Sequence, residues 1–251
     1  MFIYSTIFSI LFWSTYVSCA KYFYEAGNIY ELIHYDDRFF HYCLYPSERQ
    51  ETLRDIVRAW LVWTESEGIE SWLAHGSLIG WYWAGQNLPW DNDADVQVTL
   101  PTLDTLATHN MTTVTIDLSA LPLYKGPNDL PPSQSGPVEF VIDINPNYVV
   151  RKDDRANLID ARWIHKASGM YIDITGVAEI NPETEPDIVS CKNNHHYSLD
   201  DIFPLKRTIH EGVKAWIPYN YERILIKEYG IQSLKLTNFK QYIRHHALAD
   251  Y

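Results

Sequence analysis

The sequence predicts an α/β or α+β fold in a single domain. Segments with apolar residues at helical spacing, starting near residues 47 and 218, are interleaved with short β-branched runs around residues 96, 141 and 172. No segment of the sequence is repeated. The 251 residues are 46% hydrophobic and 21% charged, which is typical of one well-packed domain rather than of a disordered or fibrous chain.

The first half of the chain predicts two helices and two strands that lead into a polar loop. The first helix is expected to be capped by Ser47, with Gln50 completing a capping box, and to end near Gly68. Five prolines and two glycines between residues 121 and 137 predict a loop. The remaining predicted elements are a strand at 72–74, a helix at 78–84, a turn at 85–87 and a strand at 94–100.

The second half predicts further strands and one helix. A strand covers 138–144, and a second covers 171–174 and ends at Gly176. Residues 182–186 predict a loop, and a helix from Pro218 is expected to stop at Gly230. Residues 22–44 show no clear periodicity and are left unassigned.

The first 20 residues carry no charge and are largely aromatic and aliphatic. The run ends at Ser18 and Ala20, a small-residue pattern typical of signal-peptide cleavage, which leaves residues 21–251 as the mature domain. The alternative is a short uncleaved anchor, because a run of this length barely spans a bilayer. Both interpretations place the domain in the lumen of the secretory pathway (the Golgi) or outside the cell.

Two further features bear on a secretory location. Without residues 1–20, the cysteines are Cys43 and Cys191, which predict either one disulfide or two separate thiols. Asn110 begins an Asn-Met-Thr glycosylation sequon.

Two classes of function are disfavoured. The formal net charge of −12 argues against a nucleic-acid partner, because binding a phosphate backbone requires a basic stripe. The chain also lacks the Gly-x-Ser-x-Gly turn of a serine hydrolase.

The strongest functional signal combines a glycine-serine turn with alternating carboxylates. Gly76 allows close approach of a ligand to the backbone, and Ser77 starts a helix whose N-terminus favours anions. Asp93 and Asp95 precede a β-branched run, so both are expected on one face of a strand, where a divalent cation would relieve their repulsion. Taken singly, the same features describe an ordinary capped turn and a solvated strand end.

A third carboxylate for a metal site is expected from another strand. Asp173 and, as the alternative, Asp143 interrupt apolar β-runs, where a lone carboxylate is costly unless it is paired or metal-bound. Either residue also fits a strand-end aspartate bonded to backbone amides.

Basic residues cluster after residue 150 in this acidic chain. They are candidates for binding phosphate, although each also fits a solvated surface: Arg151, Lys152, Arg155, Arg162 and Lys166. Cys191, His195 and His196 lack a second ligand pair at zinc-like spacing, and we interpret them as structural, or His195 as facing the substrate.

Several segments in fixed order resemble the LicD/fukutin phosphotransferases in their fungal form. The segments are His-Gly-Ser-Leu-Ile-Gly-Trp-Tyr-Trp (75–83), Pro-Trp-Asp-Asn-Asp-Ala-Asp-Val-Gln-Val (89–98), Asn-Leu-Ile-Asp-Ala-Arg-Trp (157–163), Gly-Met-Tyr-Ile-Asp-Ile-Thr (169–175), Cys-Lys-Asn-Asn-His (191–195), Pro-Leu (204–205), Glu-Gly (211–212), Ile-Pro (217–218) and Glu-Tyr-Gly (228–230). The resemblance covers about residues 46–230.

The resemblance implies a nucleotidyltransferase-like mixed β-sheet flanked by helices. It also implies a phosphotransferase that moves a phospho-sugar or phospho-alcohol from a nucleotide-diphosphate donor to a glycan or glycoprotein, with fungal relatives tied to mannosylphosphate addition. Mg²⁺ or Mn²⁺ would be held by Asp93, Asp95 and Asp173, which are also the catalytic residues. Donor phosphate would bind at His75, Gly76 and Ser77. Arg162 and Arg155 would neutralise charge on the transferred phosphate.

Two alternatives remain open. The first is a catalytically silent regulator or glycan-binding relative, and the second is a secreted phosphodiester hydrolase. A membrane partner is expected only if residues 1–20 persist as an anchor.

Overall fold

The computed structural model describes residues 20–26, 34–124, 136–236, 238–239 and 242–243. Residues 1–19 of the predicted signal peptide or anchor, and residues 125–135 of the predicted loop, lie outside this range. The described helices are α1 (Pro46–Glu67), α2 (His75–Ala84), α3 (Leu100–Ala107), α4 (Leu199–Ile202), α5 (Tyr221–Tyr229) and α6 (Gln232–Lys235).

The strands run along the chain between these helices. They are β1 (Trp72–Leu73), β2 (Asp95–Thr99), β3 (Thr112–Asp117), β4 (Pro137–Ile144), β5 (Ala161–His165), β6 (Tyr171–Glu179), β7 (Ile188–Ser190), β8 (His196–Ser198), β9 (Lys206–His210), β10 (Val213–Ile217), β11 (Asn238–Phe239) and β12 (Tyr242–Ile243).

Eight of the described strands form one mixed sheet. Six follow the order β1-β2-β6-β5-β4-β3, and β7 and β8 continue from the end of β6. Strands β2 and β6 are parallel, and their neighbours in the sheet pair antiparallel. The predicted mixed sheet flanked by helices is therefore confirmed.

One face of the sheet is covered by α1 and α3. Trp163 of β5 stacks on Trp63 of α1 with ring centroids 5.0 Å apart, and on Phe140 of β4 at 5.0 Å. On β6, Gly176 lies against Leu103 of α3. Successive strand residues alternate faces, so the aspartate of β6, Asp173, lies on the opposite face.

The N-terminal segment that the sequence left unassigned covers part of this opposite face. Tyr22 donates a hydrogen bond from its hydroxyl to Asp143 of β4 at 2.9 Å, and Glu25 pairs with Arg162 of β5 at 3.2 Å. Polar and aromatic groups make these contacts, and they do not form a periodic apolar stripe. The sequence pattern therefore did not predict this packing.

The boundaries of four predicted elements were wrong, and one of them is the start of α2, at His75 rather than at residue 78. Strand β6 runs through Gly176 to Glu179, because the Gly176 backbone N–H donates to Asp160 at 2.7 Å while α3 packs closely over it. Helix α1 begins at Pro46, and Ser47 does not cap it; the Glu48 carboxylate accepts instead from the Tyr45 backbone N–H at 3.2 Å.

Helix α5 begins at Tyr221 rather than at Pro218. The predicted end of α1 near Gly68 is confirmed, with φ of 66° at that glycine. Cys43 is exposed and Cys191 is buried, and both are free thiols. Within the described part of the chain, no helix combines the length and apolarity needed to cross a bilayer.

Candidate active site

A row of charged residues crosses the sheet on the face opposite α1 and α3. Asp95 of β2 is the register partner of Asp173 in β6, which is in turn opposite Arg162 in β5. Arg162 is opposite Asp143 in β4. Directly paired residues of neighbouring strands share a face, so the sheet itself aligns these four side chains.

Asp95 is the centre of a carboxylate cluster formed with three other aspartates. Burial raises its pKa to about 8, and the charges of Asp93, Asp173 and Asp91 contribute, whereas His75 opposes the shift. Like charges held together in a partly dry site favour a bound cation. The sequence predicted Asp93, Asp95 and Asp173 as this set.

Helix α2 begins against the cluster. The Asp95 backbone N–H donates to the Ser77 hydroxyl oxygen at 2.9 Å, which fixes the start of the helix beside β2. A Cβ on Gly76 would lie 3.1 Å from an Asp91 carboxylate oxygen and 3.9 Å from one of Asp95. Glycine at this position therefore permits the carboxylates to approach the helix N-terminus.

Asp91 belongs to this neighbourhood but was not predicted as a site residue. It follows the Pro89-Trp90 turn two positions before Asp93, and like Asp93 it precedes β2, which begins at Asp95. Asp93 is more open: its side chain is 37% exposed, and its carboxylate lies 3.8 Å from His34 Nε2.

Asp173 is held by Arg162. The Arg162 Nε donates to an Asp173 carboxylate oxygen at 3.1 Å, and the guanidinium also pairs with Glu25 at 3.2 Å and Asp36 at 3.5 Å. Burial raises the pKa of Asp173 to about 6 although Arg162 opposes the shift. Among the four aspartates of the cluster, Arg162 contacts Asp173.

Arg162 is the most enclosed cation of the site. The residue is 1% exposed, and its guanidinium lies 3.7 Å from the ring centroid of Tyr171 and 4.7 Å from that of Phe23. With three acidic partners and two aromatic faces, it positions Asp173.

The alternative third carboxylate, Asp143, lies apart from the cluster. It is fully buried, its carboxylate pairs with Arg38 at 2.6 Å, and it accepts the Tyr22 hydroxyl. Arg162 separates it from Asp173 in the register of the sheet.

A cavity of about 400 Å³ opens beside the carboxylates. Its walls include Asp95, Asp173, His75 and the exposed Arg155, which makes no ion pair with any described residue. A second cavity of about 370 Å³ lies beyond Gly76 and is mainly apolar, with Trp83 and Trp90 in its wall. Gly76 and the aspartates thus lie between a polar and an aromatic cavity.

The other basic candidates have local partners. Arg151 pairs with the buried Asp160 at 2.9 Å, and Lys166 pairs with Glu139 at 2.8 Å. Lys152 donates to the side chain of Asn181 at 2.8 Å. Arg155 and Arg162 are the two predicted cations that line the polar cavity.

His75 is joined by a residue that sequence reasoning missed. Its Nδ1 lies 3.0 Å from a carboxylate oxygen of Glu228 in α5, and its ring centroid lies 4.5 Å from that of His195. Burial lowers the pKa of His75, but the Glu228 carboxylate outweighs this and raises the net value above normal. The Glu-Tyr-Gly segment at 228–230 was the available signal, although nothing in the spacing connected it to residue 75.

The donor set of the aspartate cluster fits a hard divalent cation. It consists of carboxylate oxygens, which Mg²⁺ and Mn²⁺ prefer, and burial beside like charges has already raised the pKa of Asp95. A helix N-terminus adjoins these oxygens and suits an anionic phosphate.

Comparisons with known proteins identify relatives of this chain. The sequence model described as "LicD/FKTN/FKRP, nucleotidyltransferase domain" matches residues 68–118, the segment that carries Gly76, Asp93 and Asp95. The chain is 34% identical over 236 residues to "Mannosyltransferase regulator 4" of Saccharomyces cerevisiae. The aligned region covers 89% of this chain and 18% of that protein.

A second yeast protein gives the same result. "Mannosyltransferase regulator 14" of Saccharomyces cerevisiae is 32% identical over 168 residues, 63% of this chain and 16% of that protein. The chain thus spans less than a fifth of the length of either relative. It carries a LicD-family segment within a mixed-sheet fold and is homologous to yeast mannosyltransferase regulators.

Proposed function

We propose that this chain is a divalent-metal-dependent phosphotransferase of the secretory pathway. It moves a phospho-sugar or phospho-alcohol, with phosphomannose as one candidate, from a nucleotide-diphosphate donor to a glycan. The main support for this proposal is that the carboxylate cluster around Asp95 lies next to the N-terminus of α2, at the edge of a polar cavity. The names of the yeast relatives support a glycan-modifying context.

The carboxylates divide into three roles. Asp93, Asp95 and Asp173 would hold Mg²⁺ or Mn²⁺, and Asp91 adds negative charge at the same place. Such an ion supplies charge neutralisation at the donor diphosphate oxygens. Asp173 also lies on the cavity wall, where it can accept the proton of the acceptor hydroxyl.

Backbone amides and Arg155 would orient the donor. The N–H groups of Gly76 and Ser77 belong to the first turn of α2, which lies beside the aspartate cluster and favours a phosphate oxygen. Arg155 is an exposed cation of the cavity, as is Lys21, and would bind the phosphate that is transferred. Arg162 acts through Asp173, because its guanidinium already has three acidic partners.

The test is turnover of a panel of CDP- and GDP-linked donors, with and without EDTA. Activity is expected to require Mg²⁺ or Mn²⁺ and to be lost in Asp93→Asn and Asp95→Asn. Asp104→Asn, an exposed aspartate on α3, is the matched control. Undiminished turnover in EDTA would contradict the proposal, and release of free phospho-alcohol without acceptor would indicate hydrolysis instead.

A second candidate is a catalytically silent regulator that binds a glycan or another enzyme. The relatives' names and the ion pair between Arg162 and Asp173 favour it. Calorimetry separates the two functions: a chain that binds neither nucleotide nor Mn²⁺ acts as a silent regulator.

The secretory location is part of the same proposal. It rests on the charge-free segment 1–20 and on the homology to proteins named for mannosyltransferase regulation. Asn110 is exposed and precedes β3, so an oligosaccharide attached there would lie outside the sheet.

A further inference from the structure

Two histidines and a glutamate from separate segments converge beside the polar cavity, whose wall includes one of them, His75. His75 starts α2, His195 lies between β7 and β8, and Glu228 is in the last turn of α5. One ligand atom of each residue lies within 4.8 Å of the ligand atoms of the other two. Among the described residues, no other group of three or more His, Cys, Asp or Glu side chains meets this spacing.

We propose that His75, His195 and Glu228 form a second metal site, selective for a Zn²⁺-type transition ion and distinct from the aspartate cluster. Two imidazole nitrogens and one carboxylate are a ligand set that zinc and its neighbours accept readily. Mg²⁺ and Mn²⁺ favour the all-oxygen set around Asp95 instead. The two sites therefore differ in ligand chemistry, and this inference goes beyond the proposed transfer activity.

The surrounding contacts orient the three ligands. The Tyr197 hydroxyl donates to the second carboxylate oxygen of Glu228 at 2.7 Å, which leaves the first oxygen directed at His75. His195 Nδ1 lies 3.6 Å from the Cys191 sulfur, so an Nδ1–H directed at that sulfur leaves Nε2 as the lone-pair nitrogen. Outer contacts of this kind hold ligating side chains in one tautomer and one rotamer.

The backbone of His75 is strained, as is common at functional sites. Its φ is +45°, in the left-handed region that side-chain-bearing residues rarely adopt. Such strain persists where surrounding contacts fix the residue, and it concentrates at functional sites. Here the strained residue directs its ring at Glu228 and His195 while its neighbour, Gly76, faces the aspartates.

An ion at this position would join three parts of the chain and face the cavity. His75 and Asn193 both line the cavity that contains Asp95. Three protein ligands leave a tetrahedral ion one position for water or a substrate oxygen, as in zinc sites that bind ligands rather than in closed structural sites. The alternative without a metal is a hydrogen-bonded His75–Glu228 pair with His195 packed beside it.

The experiment is zinc binding by the full chain after chelator treatment and dialysis. Isothermal calorimetry and elemental analysis are applied to the unmodified chain, His195→Gln and Glu228→Gln. His196→Gln, the exposed neighbouring histidine, is the matched control, and Asp93→Asn marks the aspartate cluster. Circular dichroism verifies that each variant is folded.

The unmodified chain, His196→Gln and Asp93→Asn are expected to bind one equivalent of zinc, and His195→Gln and Glu228→Gln to lose it. Tyr197→Phe is expected to bind about tenfold more weakly. Co²⁺ gives an independent measurement on the unmodified chain, with the intense visible absorption of a four-coordinate ion expected and a weak six-coordinate spectrum contradicting the site.

Three other results would overturn the proposal. They are absence of zinc binding by the unmodified chain, unchanged binding by His195→Gln, and loss of binding in Asp93→Asn alone. Donor turnover is not a readout here, so failure of the transfer activity leaves the zinc measurement intact, and the reverse holds as well.

Discussion

Asp95 and Asp173 lie directly opposite each other on the parallel strands β2 and β6, although 78 positions separate them in the numbering. Parallel pairing places both carboxylates at the same level of the sheet and on the same face. Arg162 contacts Asp173 and not Asp95, so the sheet brings together one compensated and one uncompensated carboxylate. This asymmetry underlies the different consequences expected of changing each residue.

Replacing Asp95 with asparagine is expected to stabilise the metal-free protein while abolishing metal binding. Burial and the charges of Asp91, Asp93 and Asp173 raise the pKa of Asp95 to about 8, so folding near pH 7 must either bury its charge or bind a proton. The neutral amide avoids this cost, which is worth about 1 kcal/mol, or roughly 2–4 °C in melting temperature. Thermal melting in EDTA and in Mn²⁺ measures both effects. Asp104→Asn is expected to behave as the unmodified chain, and a lower melting temperature of Asp95→Asn in EDTA would contradict the repulsion.

Removal of the Arg162 guanidinium is expected to cost stability. Arg162→Met leaves Glu25, Asp36 and Asp173 without their buried partner, and breaking such a pair typically costs about 3–5 kcal/mol. Arg162→Lys keeps the charge but loses the planar guanidinium and its stacking on Tyr171. Its free energy of unfolding is therefore expected to lie between those of the unmodified chain and Arg162→Met. Urea unfolding gives the free energies, and a cost below about 1 kcal/mol for Arg162→Met would show that these contacts are incidental.

Arg155→Gln is expected to weaken donor binding without changing stability. Arg155 is exposed at the cavity and has no ion-pair partner among the described residues, so its loss removes only an interaction with ligand. A charged hydrogen bond to phosphate contributes about 1.5–3 kcal/mol, which corresponds to roughly ten- to a hundredfold in affinity. Calorimetry with the donor found by turnover checks this. The control is Lys152→Gln, at an exposed lysine that donates a hydrogen bond to Asn181. Equal donor affinity of the two variants would show that Arg155 does not bind the donor.

Gly76→Ala is expected to disturb the site more than the fold. The added methyl group would meet an Asp91 carboxylate oxygen at 3.1 Å, and that flexible side chain can shift by a few tenths of an ångström. Mn²⁺ and donor affinity are expected to fall while the melting temperature changes little. Gly80→Ala provides the contrast, because its methyl group would lie 2.7 Å from the Gln86 backbone oxygen and destabilise by about 1–3 kcal/mol. Normal affinity of Gly76→Ala would show that the close approach is not needed.

The sequence predicted those parts of the site that depend on local pattern. Alternation in β2 placed Asp95, and the interrupted apolar run of β6 placed Asp173. The partners of these residues come from distant segments through polar contacts that carry no periodicity, as with Glu25 on Arg162 and Glu228 on His75.

Glycine marks the end of an element at some positions of this chain and not at others. Gly68 and Gly176 look alike in sequence, yet the first ends α1 with positive φ and the second lies within β6 to admit Leu103. Turn formation and close packing both select glycine, and only the packed structure separates the two reasons.

The free energy of unfolding is expected to fall in acid partly because His165 is buried. Desolvation lowers its pKa from 6.5 to about 4, and the ring is 3% exposed with Nδ1 hydrogen-bonded to Ser168 at 2.8 Å. The folded protein therefore keeps this imidazole neutral at pH values where the unfolded chain binds a proton. Its contribution is fully present above about pH 6.5, is lost as the pH falls towards 4, and amounts to roughly 2–3 kcal/mol.

Urea unfolding of His165→Gln at several pH values between 4 and 7 measures this contribution. The variant is expected to lose less stability in acid than the unmodified chain, although the buried His210, with a pKa lowered by burial to about 3, retains a slope of the same sign. Glu211 acts in the opposite direction, because burial raises its pKa to about 7. His41→Gln, at an exposed histidine, is the control. Parallel pH profiles for His165→Gln and the unmodified chain would show that His165 is not held neutral by the fold.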